Sequence, residues 1–163
     1  MKEQKRLTIK KMNDKISWEE YALRIAKTAS LRSEDPYRKV GACALNHQNM
    51  VLGVGYNGLA SGKNVDLKFW ENRDERLKYM IHAEVNCLSL FKRGEARILA
   101  VTLLPCSYCA TMIASNGIKH IVYEEEYQRD DAAKEILKFY GIELQKISLE
   151  KSLFTLDKKI RTK

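Results

Sequence analysis

The sequence predicts a mixed α/β sandwich, one five-stranded sheet with helices on both faces. Three patterns in its 163 residues carry that expectation. An amphipathic helix comes first, a β-hairpin follows it, and the second half alternates strand, helix, strand, helix, strand.

Ser17 sits where an N-cap belongs, and Glu20 three residues later completes a capping box. From residue 18 to about 32, Trp18, Tyr21, Ala22, Ile25, Ala26 and Ala29 share one face at helical spacing. Residues 40–47 and 50–57 are β-rich runs separated only by Gln48 and Asn49, the pattern of a hairpin. Residues 59–80 open on a Gly/Ser turn and become charged, which reads as a loop with room for a short helical piece. Residues 82–91 then read as a helix, 98–104 as a strand, and 106–115 as a helix ending near Asn116 and Gly117. Residues 119–124 form a strand, 130–140 a helix stopped by Gly141, and 142–147 a last strand. Strands joined through helices pair in parallel, so the second half forms a parallel unit beside the antiparallel hairpin.

A hydrophobic content of 45% with two prolines and eight glycines fits one folded domain and argues against a linker-rich chain. The net charge of +8 raises the question of nucleic acid. Its distribution answers against it. Lys and Arg outnumber Asp and Glu six to two over residues 1–15 and five to two over residues 150–163, leaving +1 for residues 16–149. A polynucleotide groove needs its cations where the phosphates lie. We therefore expect a basic N-terminal tail (1–15), a folded domain (16–149) and a basic C-terminal tail (150–163), with no nucleic-acid partner. No apolar run approaches the ~20 residues of a membrane span, and residues 1–15 lack a signal-peptide core, so a cytoplasmic location is expected and no membrane partner.

The chemistry concentrates in two short stretches. Cys106 and Cys109 follow Pro105 directly after a predicted strand, at the first turn of a predicted helix. Helix N-termini favour thiolate, the form that binds metal. Without an export signal, four cysteines suit thiols or metal ligands better than disulfides. A zinc site needs a further ligand, and of His47, His82 and His120 only His82 has a useful companion, Glu84 two residues on. A Cys-x-x-Cys pair alone also fits a redox dithiol or a closed structural zinc site with Cys87 as fourth ligand. Cys87 and Cys43 read more simply as small apolar residues, and His47 and His120 as surface residues.

The run His82-Ala83-Glu84, followed by Pro105-Cys106-x-x-Cys109, resembles the zinc nucleobase deaminases. Over residues 17 to 147 the chain is similar to the deoxycytidylate (dCMP) deaminases. "RSEDP" before "VGA", then "GYNG", "IHAEVN" and "LLPCSYCATMIASNGIKHIVY" appear in that family's order. The resemblance implies a cytidine-deaminase-like three-layer sandwich. It also implies a Zn²⁺ ion on His82, Cys106 and Cys109, and Glu84 as the catalytic proton carrier. The implied reaction converts dCMP and water to dUMP and ammonia, feeding thymidylate synthesis, in a homo-oligomer, usually a hexamer, regulated by dCTP and dTTP.

Residue by residue, the resemblance places Asn46 on the sugar hydroxyl and the Ala83 backbone beside the base. It puts Arg32 and Ser33 near the phosphate and lets Tyr127 close on the nucleotide. Gly55, Tyr56, Asn57 and Gly58 match the segment associated with a regulatory nucleotide, although Asn57 and Gly58 could simply turn the chain. The sequence departs from the family after that segment, reading "LASG", and again after Cys109, reading "AT". Residues 59–80 align poorly, leaving Phe69, Trp70, Arg73 and Arg76 to line a site or to pack an insertion. Rival functions are deamination of another cytosine substrate (nucleoside, dCTP or single-stranded nucleic acid) and a non-catalytic zinc-containing nucleotide sensor.

Overall fold

The sheet has the order β2-β1-β3-β4-β5, so the hairpin sits at one edge and the parallel unit at the other. The computed structural model describes residues 15–149. The two expected basic tails lie outside the described residues, apart from Lys15. In chain order the elements are α1 (Trp18–Ser30), β1 (Gly41–Asn46), β2 (Val51–Tyr56), α2 (Leu67–Glu71), α3 (Arg73–Tyr79), α4 (Ala83–Leu88), β3 (Ala96–Leu103), α5 (Ser107–Ser115), β4 (His120–Glu125), α6 (Ala132–Phe139) and β5 (Glu143–Lys146). β1 pairs antiparallel with both β2 and β3, whereas β3, β4 and β5 run parallel. No described helix is long and apolar enough to cross a membrane.

Strand alternation divides the core into two layers. Cys43, Leu45, Ile98, Ala100 and Val122 face α1, which contributes Ala22, Leu23 and Ala26. Ala42, Ala44, Leu99, Val101 and Ile121 face the other way, against Ala83 and Cys87 of α4, Ile113 of α5 and Leu137 of α6. Both layers are dry, and this burial is what holds the sheet between its helices.

α1 starts at Ser17, whose Oγ accepts the Glu20 N–H at 3.1 Å, but the expected capping box is only half made, because the Glu20 carboxylate accepts from Arg24 Nε at 2.9 Å rather than from the Ser17 N–H. Its inward face is rotated from the expected one, because Leu23 is fully buried while Trp18 is 50% exposed. Small residues explain the rotation. A Cβ on Gly41 would lie 1.9 Å from the Ala26 carbonyl oxygen, so β1 meets α1 nearly backbone to backbone. That contact seats the alanine stripe on the sheet and turns the aromatic rings outward.

The 59–80 region holds two short helices where the charged sequence reads chiefly as loop. Each is started by a side-chain cap: Asp66 Oδ1 accepts the Phe69 N–H at 3.0 Å, and Asn72 Oδ1 accepts the Glu75 N–H at 3.1 Å. A bridge between Gly58 and Ile81 closes the excursion and delivers the chain to His82.

Candidate active site

Two helix starts converge on one point. His82 and Cys106 occupy the N-cap positions of α4 and α5, and neither side chain bonds its own helix's free N–H groups. The imidazole and the thiol are thus free to face each other, and Cys109 joins them from the first turn of α5. His82 Nδ1 lies 3.3 Å from Cys109 Sγ and 3.6 Å from Cys106 Sγ. All three ligand atoms lie within 4.8 Å of one another.

Zinc at about 2.3 Å from sulfur and about 2.0 Å from nitrogen holds tetrahedral donors about 3.5–3.8 Å apart, so the trio fits this metal. Among the described residues no fourth His, Cys, Asp or Glu joins the group. Cys87 is packed in the core as a small hydrophobe, and its Sγ donates to the Gly53 carbonyl at 3.4 Å. A three-ligand set leaves one tetrahedral position for water, the arrangement of a catalytic rather than a structural zinc site.

The electrostatics agree with that donor set. Cys106 is held as a thiolate, down to about 4, first by a hydrogen bond from Cys109 and then by one from His82. Cys109 keeps the shared proton, raised by its bond to Cys106 and by burial. His82 is raised chiefly by its bond to Cys106, which outweighs its own burial. A dication in place of the shared proton satisfies both sulfurs as thiolates.

Glu84 follows in the first turn of α4, 4% exposed and outside the ligand cluster. Burial pushes its carboxyl above the usual glutamate range, with the nearby His82 charge opposing. A carboxylate displaced in that direction is a stronger base than an exposed glutamate.

These groups open onto a cavity of about 940 Å³. Ala83, Glu84, His82 and Cys106 line it, as does Tyr127. Asn46 does not. It pairs with Ala96 at the start of β3, whereas Cys106 lies beyond that strand's end. Its Oδ1 accepts the Gln48 and Met50 N–H groups, each at 2.9 Å, and so shapes the hairpin turn in which Asn49 has φ 62°.

Arg32 and Ser33 also lie outside the cavity lining. Arg32 is exposed, and Ser33 is buried with its Oγ accepting the Asp35 N–H at 3.3 Å. Asn57, matched by resemblance to the regulatory segment, lines the cavity instead. Its Oδ1 accepts the Val40 N–H at 2.8 Å, and its Nδ2 donates to the Arg38 carbonyl at 2.9 Å. Gly55 has a packing reason to be glycine, since a Cβ there would lie 2.3 Å from the Ala83 carbonyl oxygen. Tyr56 is 38% exposed, and its carbonyl accepts from Asn86 of α4. Gly58 makes the bridge to Ile81.

Comparison with known proteins decides the family. The model of the cytidine and deoxycytidylate deaminase zinc-binding region matches residues 16–125, which include His82, Glu84, Cys106 and Cys109. The chain belongs to this family.

Deoxycytidylate deaminases of Mus musculus and Homo sapiens are each 32% identical to this deaminase-family chain, covering 93% of it and 91% of their own lengths. Among solved structures, dCMP deaminase from the cyanophage S-TIM5 in complex with dCMP and dUMP matches with a TM-score of 0.68 at 28% identity. That match covers 78% of this chain and 95% of the phage chain. The fold is therefore the cytidine-deaminase-like sandwich, and the metal of the matched region is zinc.

Sequence reasoning passed over Asp130. Its Oδ2 accepts the Ser107 N–H at 2.6 Å. It ties the start of α5, next to Cys106, to the start of α6. The available signal was an aspartate just before a helical run, but it points to α6 alone.

Proposed function

We propose that this chain hydrolyses dCMP to dUMP and ammonia, with Glu84 moving the protons and His82, Cys106 and Cys109 holding the zinc. The observation that carries the reading is a buried carboxyl, outside the ligand set, next to a three-donor trio that opens into a cavity of about 940 Å³, with room for a nucleotide. Relatives named deoxycytidylate deaminase over nearly the whole chain, and a related structure that holds dCMP and dUMP, support that substrate.

When bound, zinc supplies a Lewis acid that makes a coordinated water acidic near neutral pH. Glu84 takes one proton from the attacking water and gives it to ring N3, while the water oxygen bonds to C4. Glu84 then carries the remaining hydroxyl proton to the exocyclic amine. The C4–N bond breaks, ammonia leaves, and the ring is a uracil with its proton on N3. Burial suits Glu84 to the first transfer, because a carboxylate with a raised pKa is a stronger base towards the water proton, and the carboxyl it becomes still gives that proton up to the substrate. Ala83 and Tyr127 both line the cavity, which supports the reading that the Ala83 backbone flanks the base and Tyr127 covers the nucleotide.

A nucleotide is thus the small-molecule partner. Assembly as a homo-oligomer and control by dCTP and dTTP rest on the resemblance alone. The test is ammonia release by zinc-loaded protein from dCMP, deoxycytidine, dCTP and a cytosine-containing single strand, each with and without dCTP or dTTP as effector. dCMP should turn over best. A preference for the single strand, or no turnover of any of the four, would overturn the reading.

A further inference from the structure

We propose that α3 carries the recognition element for the substrate's 5′-phosphate, with Arg76 as the fixed donor and Arg73 as its exposed companion. This rests on the reading of the substrate as a nucleotide monophosphate. Arg32 and Ser33, the residues offered by family resemblance, are not on the cavity wall, so the phosphate needs another partner.

Arg76 lines the same cavity as Glu84, yet its side chain is only 8% exposed. It is held from two sides. Nη1 donates to Asp35 Oδ2 at 2.8 Å, and the guanidinium carbon lies 4.6 Å from the centre of the Tyr37 ring. Asp35 is fixed in turn, because its Oδ1 accepts the Tyr37 and Arg38 N–H groups at 2.8 and 3.2 Å. The "RSEDP" stretch thereby orients a guanidinium supplied by the divergent 59–80 region.

The other edge of that guanidinium is unused. Nε is buried without an acceptor, and Nη2 makes no hydrogen bond among the described residues. A buried donor with no acceptor is unfavourable. The Nε and Nη2 edge is the fork that donates to two oxygens of one phosphate, and an anion there would satisfy it.

The remaining cations on the wall differ in how free they are. Arg38 donates to Glu125 at 2.9 Å, and Lys146 lies 3.6 Å from Glu126, so each already has a carboxylate partner, though in a partly exposed pair. Arg73 has only Asp74, a 93% exposed carboxylate at 3.9 Å, and can turn to an anion at little cost. Arg129 has no ion-pair partner among the described residues, but it is exposed and nothing comparable to Asp35 orients it. Of these groups only Arg76 is held in a fixed orientation by its neighbours.

The experiment compares Arg76→Lys, Arg73→Ala and Arg129→Ala with wild type as zinc-loaded full-length proteins. It reads the ratio of kcat/KM for dCMP to that for deoxycytidine, and calorimetric binding of dUMP, deoxyuridine and inorganic phosphate. Arg76→Lys should lower the dCMP preference about tenfold or more, the loss expected for a charge-assisted bond, with a matching loss in dUMP over deoxyuridine binding. Arg73→Ala should lower it less, and Arg129→Ala least.

General damage to the fold lowers both substrates together and leaves the ratio in place. An unchanged ratio in both Arg76→Lys and Arg73→Ala, or a collapse confined to Arg129→Ala, overturns the proposal. If Arg76→Lys does not fold, Arg73→Ala alone decides, and an unchanged ratio there refutes it. If wild type deaminates neither compound, the deamination reading fails, and dUMP against deoxyuridine binding still decides the phosphate site.

Discussion

Replacing Gly55 by alanine should impair catalysis from beneath the active site, at a residue that touches none of the reacting groups. An added Cβ would sit 2.3 Å from the Ala83 carbonyl oxygen, 2.6 Å from the Cys87 nitrogen and 3.1 Å from the Cys87 Cα. All three are backbone atoms of α4, so no side chain can swing away. Ordinary contact needs roughly 3.4 Å or more, so α4 or β2 must move by about 1 Å. Overpacking of this kind costs about 1–3 kcal/mol, which in a chain of this size lowers Tm by roughly 3–10 °C. The moved helix carries Glu84 in its first turn, and a misplacement of about 1 Å at a reacting group costs about a hundredfold in rate. Thermal melting and steady-state deamination of dCMP read the two effects. Gly58→Ala is the companion, because its Cβ meets nothing nearer than Glu34 Oε1 at 3.4 Å. A Gly55→Ala protein with wild-type Tm and kcat, or a Gly58→Ala protein damaged to the same degree, would refute the packing argument.

Two further outcomes are expected. Chelating the metal should make Cys106 the first cysteine alkylated at neutral pH, since it is held as a thiolate at about 4. Cys43, pushed up to about 12 by burial, and the buried Cys87 should react only on unfolding; mass spectrometry that finds either of them labelled in the folded protein contradicts the site. Asp130→Ala should cost about 1 kcal/mol through the lost cap and weaken zinc retention in a chelator competition. The cap's hydrogen bonds hold the Asp130 pKa below its ordinary 3.8, so its contribution is present above that value and fades as the pH falls through the folded pKa. Wild type and Asp130→Ala should therefore converge in stability on acidification, and a gap that stays constant contradicts the role.

The parts of the fold visible in the sequence are those whose periodicity matches their burial. β1, β3 and β4 alternate between two dry layers, and glycines stop α5 and α6, so the strand and helix order could be read directly. α2 and α3 could not be read that way. Their residues are mostly charged, only Arg76 among them is buried, and their formation depends on the caps Asp66 and Asn72. The clustering of His82, Cys106 and Cys109 was legible because ligand chemistry restricts residue type as well as spacing. Asn46 shows the opposite case, since an asparagine at a strand end suits a sugar or a hairpin turn equally, and only the register settles which end of the sheet it occupies. Asp35 and Arg76 lie 41 residues apart in sequence, and no local pattern joins them.

The central claim, a proton-carrying Glu84 beside a three-ligand zinc, is tested most directly by Glu84→Gln, measured for both zinc content and ammonia release from dCMP. Glutamine keeps the shape of a buried side chain and lies outside the ligand set, so the protein should fold and hold one zinc per chain. Turnover should fall by about a hundred- to ten-thousandfold, the range for loss of a general acid–base group. Zinc-loaded Glu84→Gln that releases ammonia at near the wild-type rate would contradict the mechanism.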